Sequence, residues 1–68
     1  MYVTVDVVGE DSRRVELASE ATYADLVRAV GYSVHEVTVL VDGRPVPEDQ
    51  PVDPDREDVR VLRLVKGG

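Results

Sequence analysis

The 68-residue sequence contains no cysteine, tryptophan or phenylalanine, and it has one histidine, His35, and one lysine, Lys66. Without cysteine, neither a disulfide framework nor a thiolate metal site is available to stabilise so small a domain. Catalysis by a cysteine nucleophile is excluded, and a lone histidine brings no second imidazole to a zinc site. Stability must therefore come from a small apolar core, and catalysis is not the expected role.

The sequence also lacks a long apolar run and a positively charged leader. A membrane-spanning helix needs about 18 consecutive apolar residues, and no stretch approaches that length. Acidic residues number 14 and basic residues 8, and the net charge of −6 repels phosphate backbones. We therefore expect a cytoplasmic monomer that contacts neither membranes nor nucleic acid directly. This acidic excess, with a single lysine, is also typical of proteins from halophilic archaea.

Alternation of apolar and polar residues predicts four strands. In the first, Val3, Val5 and Val7 share one face, and the residues between them share the other. The same pattern places strands at residues 2–8, 13–18, 37–41 and 59–65.

Turn residues and prolines predict the connections. Asp42-Gly43 is a strong signal for a two-residue turn, and the prolines after it favour a brief edge strand at residues 44–46. Residues 47–58 hold three prolines and six acids and are predicted to be loop.

One helix is predicted between the second and third strands. Thr22 and Asp25 match a capping box, and Gly31 supplies the left-handed residue that ends a helix. The apolar face of this helix is predicted to consist of Tyr23, Leu26, Val27 and Val30. The sequence thus predicts an α+β domain in which one helix covers a mixed sheet of four to five strands, in the order ββαβ(β)β.

This order of elements, followed by Gly67-Gly68, resembles the ubiquitin-like β-grasp family. Within that family the sequence is most similar to the small archaeal modifier proteins and to the sulfur carriers of molybdopterin and thiamine synthesis. Three stretches carry the resemblance: residues 22–27 (TYADLV), 38–46 (TVLVDGRPV) and 61–68 (VLRLVKGG). The resemblance implies a β-grasp domain over residues 1–65 and a flexible tail over residues 66–68.

The resemblance further implies a carrier protein and not an enzyme. In that family an ATP-dependent E1-like enzyme converts the carboxyl of the final glycine, here Gly68, into an acyl-adenylate. Capture by a lysine of a target protein gives an isopeptide bond, whereas capture by sulfur gives a thiocarboxylate for tRNA thiolation or molybdopterin biosynthesis. We expect a protein modifier. A sulfur carrier is the alternative, compatible with the first role, and an inert interaction module is the second alternative.

The resemblance also bears on partners. The chain itself is expected to hold no cofactor, because ATP is used by the activating enzyme. It is also expected to hold no metal, because His35 has neither a cysteine nor a second histidine to complete a site. Lys66 is the one lysine on which copies of the chain could be joined. A sulfurtransferase and a deconjugating protease remain open as further partners.

Strand alternation then predicts where an activating enzyme docks. If the valines of residues 37–41 face the helix, the residues between them face outward, as do alternate residues of the last strand. The family's partner-binding surface lies on that outer face of the sheet. We predict a small apolar partner surface with basic edges, formed by Leu40, Leu62, Arg60 and Arg44.

Overall fold

The computed structural model describes residues 1–53, 55 and 58–64. Five strands and one helix are present in this part of the chain. In chain order they are β1 (Tyr2–Val7), β2 (Arg13–Glu16), α1 (Tyr23–Ala29), β3 (Val37–Val41), β4 (Arg44–Pro45) and β5 (Val59–Arg63). Every predicted element is confirmed, although each of them except β3 is shorter than predicted; β5 ends at Arg63, one residue before Leu64, and Val65 lies outside the described residues.

The strands form one mixed sheet in the order β2-β1-β5-β3-β4. The first and last strands, β1 and β5, lie side by side and are parallel, whereas every other neighbouring pair is antiparallel. The mixed character of the sheet was predicted, but the central position of β5 was not. This position places the end of the described chain at the middle of the sheet.

The core lies between the sheet and α1. Alternate valines of β1 point into it, and Val5 and Val7 are fully buried. Tyr23, Leu26 and Val27 cover them from the helix, as the helical spacing predicted. β-Branched side chains suit this position because they pack well on a pleated surface and lose little rotamer freedom there.

The helix begins at the predicted capping box. The Oγ1 of Thr22 accepts a hydrogen bond from the N–H of Asp25, and the Asp25 carboxylate accepts one from the N–H of Thr22. Gly31 follows the helix with a φ of 89°, in the left-handed region that ends many helices. No helix in the described chain is long and apolar enough to cross a bilayer.

The predicted loop supplies the remaining caps of α1. The N–H groups of Tyr23 and Ala24 donate to the carbonyls of Gln50 (3.1 Å) and Glu48 (2.8 Å). Val52 is only 5% exposed and belongs to the core. The loop is therefore packed against the helix, a feature that its prolines and acids did not indicate.

The turn between β3 and β4 has the predicted geometry. Asp42 and Gly43 have φ values of 53° and 81°, and two successive positive values define a two-residue turn that matches the twist of a hairpin. β4 lies at one edge of the sheet, as its prolines indicated.

Candidate functional site

The last described strand is held on both sides. β5 pairs with β1 through Val59 and Val61, both fully buried, and with β3 over five residues. Beyond the strand, the N–H of Leu64 donates to the carbonyl of Glu36 at 2.7 Å. The sheet therefore holds the chain as far as Leu64. The predicted tail residues Lys66, Gly67 and Gly68, like the predicted domain boundary after residue 65, lie outside the described residues and stay predictions.

A polar cluster surrounds the end of β5 on the helix side. The Arg63 guanidinium lies over the ring of Tyr32, 5.5 Å from its centroid. The Tyr32 hydroxyl donates to Glu10, which also accepts from Arg13 at 3.3 Å. Hydrogen bonding to this carboxylate, followed by partial desolvation, raises the pKa of Tyr32 above its ordinary 10.0. The cluster thus ties the β1–β2 turn to the end of β5.

The outer face of the sheet carries three of the four predicted partner-surface residues. Leu40 is paired with Arg60 across β3 and β5, and Leu62 lies opposite Thr38 on the same face. Leu40 is half-buried, and Leu62 is 38% exposed. Arg60 is partly neutralised, because its Nε donates to Asp58 at 3.2 Å.

The fourth predicted residue, Arg44, is not on this face. Arg44 is paired with Val41, and residues paired across antiparallel strands project to the same side of a sheet. Because Val41 faces the helix, Arg44 lies on the helix side of the edge strand, away from Leu40 and Leu62. The two-residue turn at residues 42–43 contained this information, since it fixes the register of the hairpin.

Two further exposed apolar residues lie beside Leu62 on the outer face, and they were not predicted from the sequence as part of the partner surface. Val8 and Leu64 are 46% and 52% exposed, and with Leu62 and Arg63 they line an open hollow of about 440 Å³. We call Val8, Leu62 and Leu64 the outer apolar patch. Val8 reaches it because β1 and β5 are parallel neighbours, and the Val8 N–H donates to the Val61 carbonyl at 3.0 Å. Alternation along β1 and β5, continued for one residue beyond each strand, places all three on one face, but only the strand order brings them together.

Comparison with known proteins gives the family. The family model of small archaeal modifier protein 2 matches residues 1–65. The chain belongs to this family. A relative from Haloferax volcanii named small archaeal modifier protein 2 is 68% identical over 68 residues, which is 100% of both chains. The resemblance read from the sequence is confirmed.

The fold of the family is confirmed as well. The crystal structure of the Haloferax volcanii small archaeal modifier protein 2 is 67% identical, covers 97% of each chain and superposes with a TM-score of 0.73. The arrangement of one helix on a five-stranded mixed sheet is therefore the ubiquitin-like β-grasp. The family name describes a modifier and not an enzyme.

Proposed function

We propose that this chain is a covalent protein modifier, attached through the carboxyl of Gly68 to lysines of other proteins. The observation that carries the proposal is the end-to-end match to a relative named as a modifier, at 68% identity. The position of β5 supports it. Gly68 is only the fourth residue after Leu64, which is hydrogen-bonded to Glu36 beside the sheet.

The chemistry requires activation from outside the chain. A terminal carboxyl with an ordinary pKa of about 3.3–3.7 is ionised at neutral pH and is a poor electrophile. An E1-like enzyme transfers AMP from ATP to the carboxylate and releases pyrophosphate. A deprotonated lysine amine of the target then attacks the acyl carbon, AMP leaves, and an isopeptide bond remains. Gly67 and Gly68 suit this step because neither carries a side chain that would obstruct a narrow channel.

We assign the docking of the activating enzyme to the outer face. Leu40 and Leu62 lie in neighbouring strands of that face, and the outer apolar patch continues it towards the segment that leads to the tail. Grouped exposed apolar residues are a common mark of a binding surface, whereas single ones are not. A partner that covers this patch would hold the chain beside Leu64, close to where Gly68 must enter the active centre.

The decisive experiment combines intact mass with tryptic mapping after expression in an archaeal cell that contains an E1-like enzyme. Trypsin cuts after Lys66, so each conjugate should leave a Gly-Gly remnant on a lysine of another protein. Deleting Gly68 should abolish these remnants. The matched control Lys66→Arg retains the tryptic site and should still modify other proteins, while losing any attachment of one copy to Lys66 of another.

Other outcomes of the same experiment would contradict the proposal. An intact mass in which sulfur replaces one carboxyl oxygen, without remnants on other proteins, would identify a sulfur carrier with a thiocarboxylate. Neither product, together with no change on deletion of Gly68, would indicate an inert interaction module.

A further inference from the structure

The edge of β3 is only half covered by β4. Val41 pairs with Arg44, and the N–H of Val46 donates to the carbonyl of Val39 at 3.1 Å. In this register the residue that would lie opposite Val37 is Glu48. The carbonyl of Glu48 instead accepts from Ala24 at the start of α1, at 2.8 Å. The chain is therefore diverted from the sheet to cap the helix, and the hairpin stops before Val37.

The backbone of Val37 faces this open edge. Successive residues of a strand direct their N–H and C=O groups to opposite sides. The backbone groups of Glu36 are directed towards β5, because the carbonyl of Glu36 accepts a hydrogen bond from the N–H of Leu64. Those of Val39 are directed towards β4, because the carbonyl of Val39 accepts from Val46. The backbone N–H and C=O of Val37 must then be directed to the same side of β3 as those of Val39. Among the described residues nothing pairs with it on that side, so one donor and one acceptor are left for an added strand, although the residue as a whole is only 6% exposed because its side chain lies in the core.

An apolar notch lies beside the same edge. It has a volume of about 140 Å³ and lies between α1 and β3, lined mainly by Val27, Val34, Val37 and Val46. Its size suits one aliphatic side chain. A strand added next to Val37 would direct the side chain opposite Val37 to the helix side of the sheet, and therefore into the notch.

The negative charge of Glu48 beside the notch favours a ligand that carries a cationic side chain. Glu48 is exposed and lines the notch. None of the ion pairs among the described residues includes its carboxylate. The net charge of −6 adds a longer-range attraction for cations. Backbone groups, an apolar notch and a carboxylate thus coincide at one place.

We propose that this edge binds an extended peptide of a partner protein by strand addition. The peptide places an aliphatic residue in the notch opposite Val37, and a lysine or arginine two positions away pairs with Glu48. Strand addition takes its affinity from main-chain hydrogen bonds and its specificity from the pockets that receive alternate side chains. The surface lies on the helix side of the sheet, away from the outer face, and is independent of the reaction at Gly68.

The test is a titration of the full chain with the blocked pentapeptide Thr-Ile-Thr-Lys-Thr, followed by NMR. The amide of Val37 and the methyl groups of Val27, Val34 and Val46 should shift in a saturable way. N-methylation of the isoleucine keeps its side chain but removes its N–H, so it should abolish binding. Replacing the peptide lysine by glutamate should weaken binding about fivefold at low salt.

A charge exchange on the protein completes the test. Glu48→Lys leaves the backbone carbonyl that caps α1 in place, and it should reverse the preference so that the glutamate peptide binds more tightly. Shifts confined to the outer face, or equal binding of the N-methylated peptide, would overturn the proposal. So would shifts of the same amides with protein concentration alone that disappear on removal of residues 65–68, because the occupant would then be a second copy.

Discussion

The two faces of the sheet are built from alternate residues of the same strands, yet they differ in almost every property. On the helix face, Val59 and Val61 of β5 are buried in the core. On the outer face, Arg60 pairs with Asp58, and Leu62 is partly open to solvent. One strand thus contributes to folding with one set of side chains and is left free to contact partners with the other.

The largest difference between the two faces is expected in how a substitution affects stability, and two adjacent positions of β5 show it. Val61→Asp places an ionised carboxylate in the core, where an unpaired buried charge costs several kcal/mol. A domain of this length has a total stability of only about 3–10 kcal/mol, at about 0.05–0.15 kcal/mol per residue. We expect the variant to lose its cooperative thermal transition in circular dichroism. A folded Val61→Asp protein would contradict the assignment of this residue to the core.

The neighbouring change, Leu62→Asp, sharpens the comparison. The new carboxylate points to solvent, so the free energy of unfolding should change by no more than about 1 kcal/mol. Docking of the proposed activating enzyme should weaken, and we expect about a tenfold loss of ATP-dependent activation, equivalent to about 1.4 kcal/mol. Pyrophosphate release measures this rate.

Leu40→Asp should act in the same direction as Leu62→Asp. The matched control is Arg44→Asp, which changes charge on the helix side and should leave activation unchanged. Equal activation of the Leu62→Asp and native chains would rule out the outer apolar patch as the docking surface.

A smaller loss of stability is expected from a substitution at the N-terminus of α1, which covers the helix face of the sheet. Thr22→Ala removes the hydroxyl that caps the N–H of Asp25, and loss of such a cap costs about 1 kcal/mol. Urea denaturation should show a lower midpoint with an unchanged slope. Ser12→Ala, in the exposed β1–β2 turn, removes a hydroxyl without removing a cap and should change the stability by less than about 0.5 kcal/mol.

The smallest effect is a pH dependence from the other half of the capping box. The N–H of Thr22, and then Arg28, hold the pKa of Asp25 below its ordinary 3.8. Ionised Asp25 therefore favours the folded state above that pH, and this contribution disappears as the pH falls through the lowered value. Asp25→Asn should be less stable than the native chain at neutral pH, and the difference should vanish at sufficiently low pH. A difference that is constant with pH, measured against Glu20→Gln as the charge control, would contradict this role.

Features that depend on neighbouring residues could be predicted from the sequence. The alternating valines of β1, the capping box at Thr22 and the turn at Asp42-Gly43 act within a few positions, and the structure confirms them. The ubiquitin-like fold was likewise predicted, because these local signals occur in an order that resembles one family.

Features that depend on distant pairing could not be predicted in the same way. Nothing near Val8 indicates that β1 lies beside β5, so its place in the outer apolar patch became visible only from the strand order. The burial of Val52 depends likewise on hydrogen bonds from the loop to the start of α1 and to the residue before its N-cap, where the Val52 N–H donates to the carbonyl of Ala21. The open edge at Val37 follows from that same diversion of the loop.

The parallel pairing of β1 with β5 has a consequence for how the protein is made. Val5 and Val59 are neighbours in the sheet although they are more than fifty positions apart in the chain. Contacts of such separation slow folding, because a long loop must close before they form. Since synthesis proceeds from the N-terminus, the nascent chain cannot complete its sheet until β5 has been added. A product terminated before residue 59 would lack the strand that joins the two halves of the sheet, and it would be open to proteolysis.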